Sequence, residues 1–248
     1  MTAVAALAEY AARYRVEIGE PAGSEWLRVD HILEPGGPEL TELLKRDDEA
    51  SGHRSAHANA LSLMSFYAGR APATALLLWA LEGRVLDIRP RNLWVRPHEG
   101  HGIAAVAVRS AEFLPGGLDT LYDVVLRQHL LPLSEELHRR TRAGLRQVYG
   151  GVAAGCAMGF CAATREKVTV DPGFLLERWR SFVAKAPGGL ARLGDVEVAA
   201  GKLVYLRNTC CLYYTSETGK NTLCGSCCLT PRPTRQAAYE AGRPILTT

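Results

Sequence analysis

The sequence predicts a helix-rich α+β fold, in which a small antiparallel sheet packs with helices and a cysteine-rich segment follows near the C-terminus. Three observations lead to this prediction. Long stretches repeat apolar residues with the period of a helix, short β-branched runs lie between residues 85 and 108, and five of the seven cysteines fall within residues 210–228. A hydrophobic content of 47% is ordinary for a globular chain of 248 residues.

The first third of the chain is predicted to be mainly helical. A Pro- and Gly-rich connecting region contains a short helix near residues 39–47. Two helices are predicted within residues 55–81, because Pro72 favours a helix start and Gly83 favours a helix end. Before them, an amphipathic N-terminal helix is predicted from the apolar positions Val4, Leu7, Ala8, Ala11 and Tyr14.

Three strands are predicted next. The runs VLDIRP, NLWVRP and GIAAVAVR are β-branched or alternating, and Pro90, Pro97 and the glycines at 100 and 102 separate them. We expect them to form one small antiparallel sheet.

The rest of the body returns to helices. Residues 118–130 and 132–150 are amphipathic, whereas residues 152–164 are almost wholly small and apolar, which predicts a helix buried against its neighbours. Cys156 and Cys161 lie on that helix, and we interpret them as inert core thiols.

The last predicted elements lead into the cysteines. Asp171 is a plausible cap for a helix over residues 171–185, and strands are predicted over residues 194–207. We divide the chain into a helix-rich body, residues 1–205, and a C-terminal cysteine-bearing segment, residues 206–248.

The composition and the N-terminus argue against several classes of protein. The chain lacks the basic start and apolar stretch of a secretion signal, and its longest apolar run, residues 75–81, is far below the roughly 20 residues needed to span a bilayer. A net charge of +3 gives no reason to expect nucleic-acid binding. We therefore expect a cytoplasmic protein without a membrane span. In a reducing compartment, clustered cysteines are metal ligands more often than disulfides.

The cysteine spacing is the most specific signal in the chain. Cys210 and Cys211 are adjacent, twelve residues separate them from Cys224, and Cys227 and Cys228 follow. Neighbouring side chains of an extended strand point to opposite faces, so the adjacent pair can reach one site only if the backbone leaves that geometry. Four thiolates suit a [2Fe–2S] cluster or tetrahedral zinc, and a redox-active thiol set is the third alternative.

The segments RNTCCLYY and LCGSC resemble the C-terminal signature of the FhuF-like ferric-siderophore reductases, in which Cys-Cys, about ten residues and Cys-x-x-Cys bind a [2Fe–2S] cluster. Residues 65–95 and 129–160 are loosely similar to helical and strand blocks of that family, and the second block is also similar to the C-terminal domains of siderophore synthetases. The loop here has twelve residues, and Cys228 stands where the family often has proline.

The resemblance implies a [2Fe–2S] cluster in the C-terminal segment, with Cys210, Cys211, Cys224 and Cys227 as ligands and Cys228 as the substitute candidate. A Cys-x-x-Cys knuckle chelates one ion well. We therefore expect the adjacent pair on one iron and the knuckle pair on the other.

The function implied by the resemblance is one-electron reduction of siderophore-bound Fe(III) to Fe(II), which releases iron in the cytoplasm. A hydroxamate-type ferric siderophore is the expected substrate. No nicotinamide or flavin fingerprint is evident, so we expect a separate electron donor, such as a ferredoxin or a flavoprotein reductase. The alternatives are a zinc-stabilised interaction module without redox activity and a [2Fe–2S] electron carrier or sensor.

Substrate contacts are predicted from a modest basic field around the cysteines. The chain after position 201 carries six basic and two acidic side chains, a net charge of +4 that leaves −1 for the rest. Lys220, Arg232 and Arg235 are candidates to attract an electron-rich ligand shell, with solvated surface charge as the alternative. Tyr213 and Tyr214 are candidate substrate contacts; alternatively, they alternate along a strand with one ring buried.

A pair of histidines lies at the start of the helical stretch predicted for residues 55–81. His53 and His57 are four residues apart, a spacing that can bind a metal on a helix. The metalloprotease motif needs Glu after its first histidine, and Arg54 stands there instead. We interpret both histidines as solvated or capping residues.

Overall fold

A computed structural model describes residues 14–165, 170–220 and 222–242, and it confirms the helix-rich α+β class. Val4 to Ala11 of the predicted N-terminal helix lie outside the described residues. No helix in the described ranges has the length and apolar character needed to cross a bilayer.

The strands of the described residues form one four-stranded sheet and two two-stranded sheets. They are β1 (Val16–Ile18), β2 (Leu27–Arg28), β3 (Val85–Leu86), β4 (Leu93–Pro97), β5 (Ile103–Val108), β6 (Phe113–Leu114), β7 (Gly194–Ala199) and β8 (Lys202–Arg207).

The four-stranded sheet has the order β1-β5-β4-β2. β4 pairs antiparallel with both of its neighbours, which confirms the predicted pairing of the NLWVRP and GIAAVAVR runs. β1 adds a parallel edge strand beside β5, which the sequence did not predict. The main sheet is therefore mostly antiparallel.

The predicted place of the VLDIRP run in this sheet is wrong, because β3 pairs with β6 in a separate two-stranded sheet. The chain turns directly after Leu86. The Arg89 backbone N–H donates to Asp87 Oδ1 at 3.0 Å, and Asn92 Nδ2 donates to the Asp87 carbonyl at 2.5 Å. These bonds hold the 3₁₀ turn at Pro90–Asn92 and end the extended run early.

Most predicted helices are present, and a π-helix at Tyr122–Leu130 interrupts the helical stretch that begins at Leu118. The helices among the described residues are α1 (Val29–Ile32), α2 (Pro38–Ser51), α3 (Ala56–Ala68), α4 (Ala73–Glu82), α5 (Leu118–Leu121), the π-helix, α6 (Leu131–Thr141), α7 (Leu145–Ala162), α8 (Pro172–Ala184) and α9 (Arg232–Glu240).

Local chemistry sets the predicted helix ends. α4 begins directly after Pro72 and ends at Gly83, whose φ of 70° lies in the left-handed region that glycine tolerates. Asp171 caps the start of α8, and its carboxylate accepts the Phe174 N–H at 2.6 Å. The signals at all three positions were read correctly from the sequence.

The predicted buried helix is α7, which lies in the core against α3. A Cβ placed on Gly155 would lie 2.5 Å from the Cβ of Ala68, so only glycine allows this close approach. Cys156 and Cys161 are buried on the same helix, and burial raises the pKa of both thiols to about 12. They are therefore core thiols, as predicted.

The β7–β8 hairpin connects the body to the cysteines. It packs on α7 and α8, and α9 covers it through Tyr239, which lies against Val204 and Leu206. The predicted boundary between residues 205 and 206 falls inside β8. The cysteine segment thus continues directly from a strand that is packed on the body.

Candidate metal centre

The backbone leaves the extended geometry before the adjacent cysteine pair. β8 ends at Arg207, and the next buried residue is Thr209. Thr209 packs so closely on Gly150 of α7 that a side chain at position 150 would overlap it. After Cys211 the chain reverses at Leu212, whose φ of 58° is left-handed. The adjacent pair therefore does not lie in a continuing strand, which is the condition that the sequence argument set for both cysteines to serve one site.

The two tyrosines lie in a 3₁₀ turn at Tyr213–Thr215, directly after the pair. The alternative that they alternate along a strand with one ring buried is wrong, since both side chains are half-buried. The reversal at Leu212 prevents a strand from continuing there. Their role as substrate contacts stays a prediction.

The Cys-x-x-Cys knuckle is a tight turn. The Cys227 N–H donates to the Cys224 carbonyl at 2.9 Å, and the Thr230 N–H donates to the Cys227 carbonyl at 3.1 Å. Ser226 Oγ lies 3.4 Å from Cys224 Sγ. Cys227 is buried, whereas Cys210, Cys211, Cys224 and Cys228 are half-buried.

The thiols of Cys224 and Cys227 change each other's pKa. The Cys227 thiol donates a hydrogen bond to the Cys224 sulfur, and this bond, with smaller contributions from Ser226 and Arg207, lowers the pKa of Cys224 to about 5. The same hydrogen bond raises the pKa of Cys227 well above its usual range. At neutral pH, the pair therefore carries one negative charge, and a bound cation would displace the remaining proton.

A buried cation lies beside the thiols. Arg207 is 4% exposed, and its guanidinium donates to the Thr209 carbonyl at 3.2 Å and lies 3.4 Å from Ser65 Oγ. Burial lowers the pKa of Arg207, but the negative charge of cysteines 211, 224 and 210 outweighs it and raises that pKa overall. Sequence reasoning missed this role and counted Arg207 only as one basic residue; its place three residues before Cys210 was the available signal.

Cys228 belongs to the same thiol set. Burial raises the pKa of Cys210, and the charges of Cys211 and Cys228 raise it further, so Cys228 lies within electrostatic reach of Cys210. The Leu212 N–H donates to Cys210 Sγ at 3.4 Å and opposes these effects. The choice between Cys227 and Cys228 as the fourth ligand stays a prediction.

The donor set suits a tetrathiolate group. All seven cysteines are described, and no three of their sulfur atoms lie within 4.8 Å of one another. One tetrahedral zinc ion holds its sulfurs ~3.8 Å apart, whereas a two-iron cluster divides four ligands between two ions. The hydrogen-bonded knuckle pair, the N–H donor to Cys210 and the buried Arg207 all stabilise negative charge on sulfur, which a thiolate-bound metal ion and a [2Fe–2S] cluster both require.

The three predicted basic contacts differ in their surroundings. Arg232 forms ion pairs with Asp195, at 2.6 Å, and Glu197 of β7. Arg235 is buried, and its guanidinium donates to the Arg207 carbonyl at 2.9 Å and to the Ser226 carbonyl at 3.1 Å. It joins the knuckle to β8. Lys220 is exposed and lies 3.4 Å from Glu217.

The interpretation of both histidines as solvated or capping residues is wrong for His53, whose ring nitrogens are buried, whereas His57 is exposed. α3 begins at Ala56, so His53 precedes the helix, and His57 is exposed near Ser55. His53 lies instead beside Asp47 and His101, with which it forms a group of potential metal ligands. Sequence reasoning missed this group because its members come from different parts of the chain.

No protein-family model matches the chain, and a search of curated proteins also found no match.

Proposed function

We propose that the protein is a ferric-siderophore reductase that holds a [2Fe–2S] cluster through Cys210, Cys211, Cys224 and Cys227. The observation that carries this proposal is that Cys210, Cys211 and Cys224 lie within electrostatic reach of the buried guanidinium of Arg207. When bound, such a cluster supplies a single electron at a time. Reduction of Fe(III) to Fe(II) consumes one electron, and no bond of the chelator has to break.

The residues around the thiols favour added negative charge at this site. Arg207 is buried and fixed by its hydrogen bonds, so its positive charge acts through protein rather than through water. Ser226 and the Leu212 N–H add neutral donors to the sulfurs. We infer that this environment raises the reduction potential of a tetrathiolate centre, which otherwise lies low.

Substrate recognition is proposed for the exposed rim of the segment. Lys220 is exposed, and its only recorded partner among the described residues is Glu217 at 3.4 Å in a surface pair, which holds it weakly. Tyr213 and Tyr214 are half-buried within four residues of Cys210. Together they offer a positive charge and aromatic surface to the anionic oxygens and the carbon skeleton of a ferric hydroxamate.

The electron is proposed to come from a separate protein, a ferredoxin or a flavoprotein reductase, and the reaction to occur in the cytoplasm. In such a reducing compartment, clustered cysteines serve as metal ligands more often than as disulfides.

The test begins with the anaerobically purified protein. We expect two irons and two sulfides per chain and a visible thiolate-to-iron absorption that bleaches on reduction. The absorption should return when a ferric hydroxamate is added to the reduced protein. Cys224→Ser should lose the iron, whereas Cys161→Ala, a change at a core thiol, should keep it.

Two outcomes would contradict the proposal. A colourless protein with stoichiometric zinc would support the zinc-stabilised interaction module. A coloured protein whose reduced form shows no preference among one-electron oxidants would support an electron carrier or sensor.

A further inference from the structure

Asp47 is a buried carboxylate with an unused oxygen. It lies on α2, and its side chain is 2% exposed. Its Oδ1 accepts the Gly102 N–H at 2.9 Å, while Oδ2 is buried without a hydrogen-bond partner in the described structure. Gly102 has a φ of 76°, and a Cβ there would lie 2.8 Å from the Cβ of Phe66. The turn that aims this N–H at Asp47 therefore requires glycine.

Two imidazoles face the same carboxylate. His101 Nδ1 lies 2.8 Å from Asp47 Oδ1, an ion pair when the imidazole is protonated, although the two atoms are not aligned for a hydrogen bond; His101 Nε2 lies 3.1 Å from Ser62 Oγ. Both ring nitrogens of His53 are buried and have no hydrogen-bond partner among the described residues. The two imidazole rings are 6.0 Å apart.

These contacts leave several polar atoms without the partners that burial demands. One ligand atom from each of the three residues lies within 4.8 Å of the others. Imidazole nitrogen and carboxylate oxygen are the common ligands of divalent zinc and iron. The 2.8 Å between His101 Nδ1 and Asp47 Oδ1 is also close to the distance of about 3 Å between two neighbouring ligand atoms on one metal ion.

We propose that Asp47, His53 and His101 bind a divalent transition-metal ion at a second site, separate from the cysteines. The chemistry shared by Zn²⁺ and Fe²⁺ defines the ligand class. No thiol takes part, so this inference does not rest on the proposed reductase function.

The second site lies directly under the cysteine segment. The Tyr213 ring stacks on His101, with ring centroids 5.8 Å apart and planes 28° apart. The Glu217 N–H donates to the carbonyls of Ser51, at 3.0 Å, and Gly52, at 3.1 Å, in the turn between Asp47 and His53. An ion held there would brace the loop that carries the predicted substrate contacts.

Cobalt provides the test, because its spectrum reports the ligands. Co²⁺ is titrated anaerobically into the protein with its cysteine site as purified. We expect one equivalent of Co²⁺ to bind with weak visible d–d bands and no thiolate-to-cobalt charge transfer. Zn²⁺ and Fe²⁺ titrations in parallel compete with cobalt and identify the preferred ion.

Variants separate binding from folding. His53→Gln and His101→Gln should each weaken cobalt binding by at least about 100-fold, more than loss of a supporting residue typically costs. His57→Gln, at an exposed histidine four residues from His53, should bind as wild type does. Asp47→Asn keeps an acceptor for the Gly102 N–H and should also lose binding. Circular dichroism without metal checks that each variant is folded.

A second readout does not depend on colour. Added metal should raise the melting temperature of wild type and His57→Gln, and it should leave that of His53→Gln unchanged. The proposal is overturned if cobalt binds only with thiolate charge transfer, if no ion binds beyond those in the cysteine site, or if both His53→Gln and His101→Gln bind as wild type does. Each of these results is independent of whether the protein reduces ferric hydroxamates.

Discussion

Replacing Cys227 with Ala tests the thiol chemistry of the knuckle most directly. In the metal-free, reduced protein, the pKa of Cys224 is about 5 rather than the ordinary 9.0, chiefly because Cys227 donates a hydrogen bond to its sulfur. The variant retains the smaller contributions of Ser226 and Arg207, and burial of Cys224 opposes them. We therefore expect the pKa of Cys224 to return toward 9.0.

The magnitude decides which assay is informative. A thiol with a pKa of about 5 is roughly 99% ionised at pH 7, and one with a pKa of 9.0 is roughly 1% ionised, a 100-fold change. The thiolate of higher pKa is also the better nucleophile, by roughly 40- to 100-fold over this range. This gain nearly cancels the loss of thiolate in the variant, so the alkylation rate at a single pH would differ little between wild type and Cys227→Ala. The pH midpoint of Cys224 alkylation, measured by mass spectrometry of its peptide, reports the shift itself.

Cys228→Ala is the matched control, because it removes a neighbouring thiol that does not donate to Cys224. Its alkylation midpoint at Cys224 should match that of wild type. A midpoint that stays near 5 in Cys227→Ala would show that the hydrogen bond is not the cause and would refute the reasoning.

Three further predictions concern packing and charges in the helical body and the buried charge beside the thiols. Gly155→Val should lower the free energy of unfolding by about 3 kcal/mol, because the added Cβ would overlap Ala68. Urea denaturation measures this free energy, and a variant as stable as wild type would contradict the prediction. Glu136→Gln should cost about 1–2 kcal/mol at pH 7. Hydrogen bonds from Arg139, the Gly36 N–H and Arg140 hold the folded pKa of Glu136 at about 2. The stability difference between wild type and Glu136→Gln should therefore be complete above pH 4.5 and should vanish as the pH falls toward 2. A stability difference that does not change with pH would contradict this prediction. Arg207→Met should lower the free energy of unfolding by about 2 kcal/mol and should raise the pH midpoint of Cys224 alkylation. Arg207→Lys keeps the positive charge and should bring that midpoint most of the way back to the wild-type value. Equal midpoints in the two variants would exclude a charge effect.

Features that depend on neighbouring residues were predictable from the sequence. Pro72, Gly83 and Asp171 act on the backbone within one helical turn, so their positions alone indicated where helices begin and end. The composition of α7 likewise indicated burial, since Gly155 and its small neighbours permit close helix contacts. The sequence also indicated that the adjacent cysteine pair must leave extended geometry to serve one site, but it did not indicate the reversal at Leu212.

Features that depend on distant partners were not predictable. β3 has too few residues to reveal its partner, and its pairing with β6 depends on a turn around Asp87. Asp47 and His101 are brought together by the fold rather than by spacing, and His53 matched a misleading four-residue pattern with His57. Arg207 was visible as a charge, but its burial depends on how β8 packs.

The cysteine segment is joined to the body on two sides by bonds that require no metal. On one side, Arg235 and the Arg207 N–H both bind the Ser226 carbonyl, at 3.1 Å each, and so attach the knuckle to β8. On the other side, Glu217 binds the turn that follows Ser51. A one-electron change at the proposed [2Fe–2S] centre would therefore meet a compensating charge, that of Arg207, that is already fixed in place. The same attachment carries Tyr213 to His101, so the contacts that position the thiols also position the proposed second metal site.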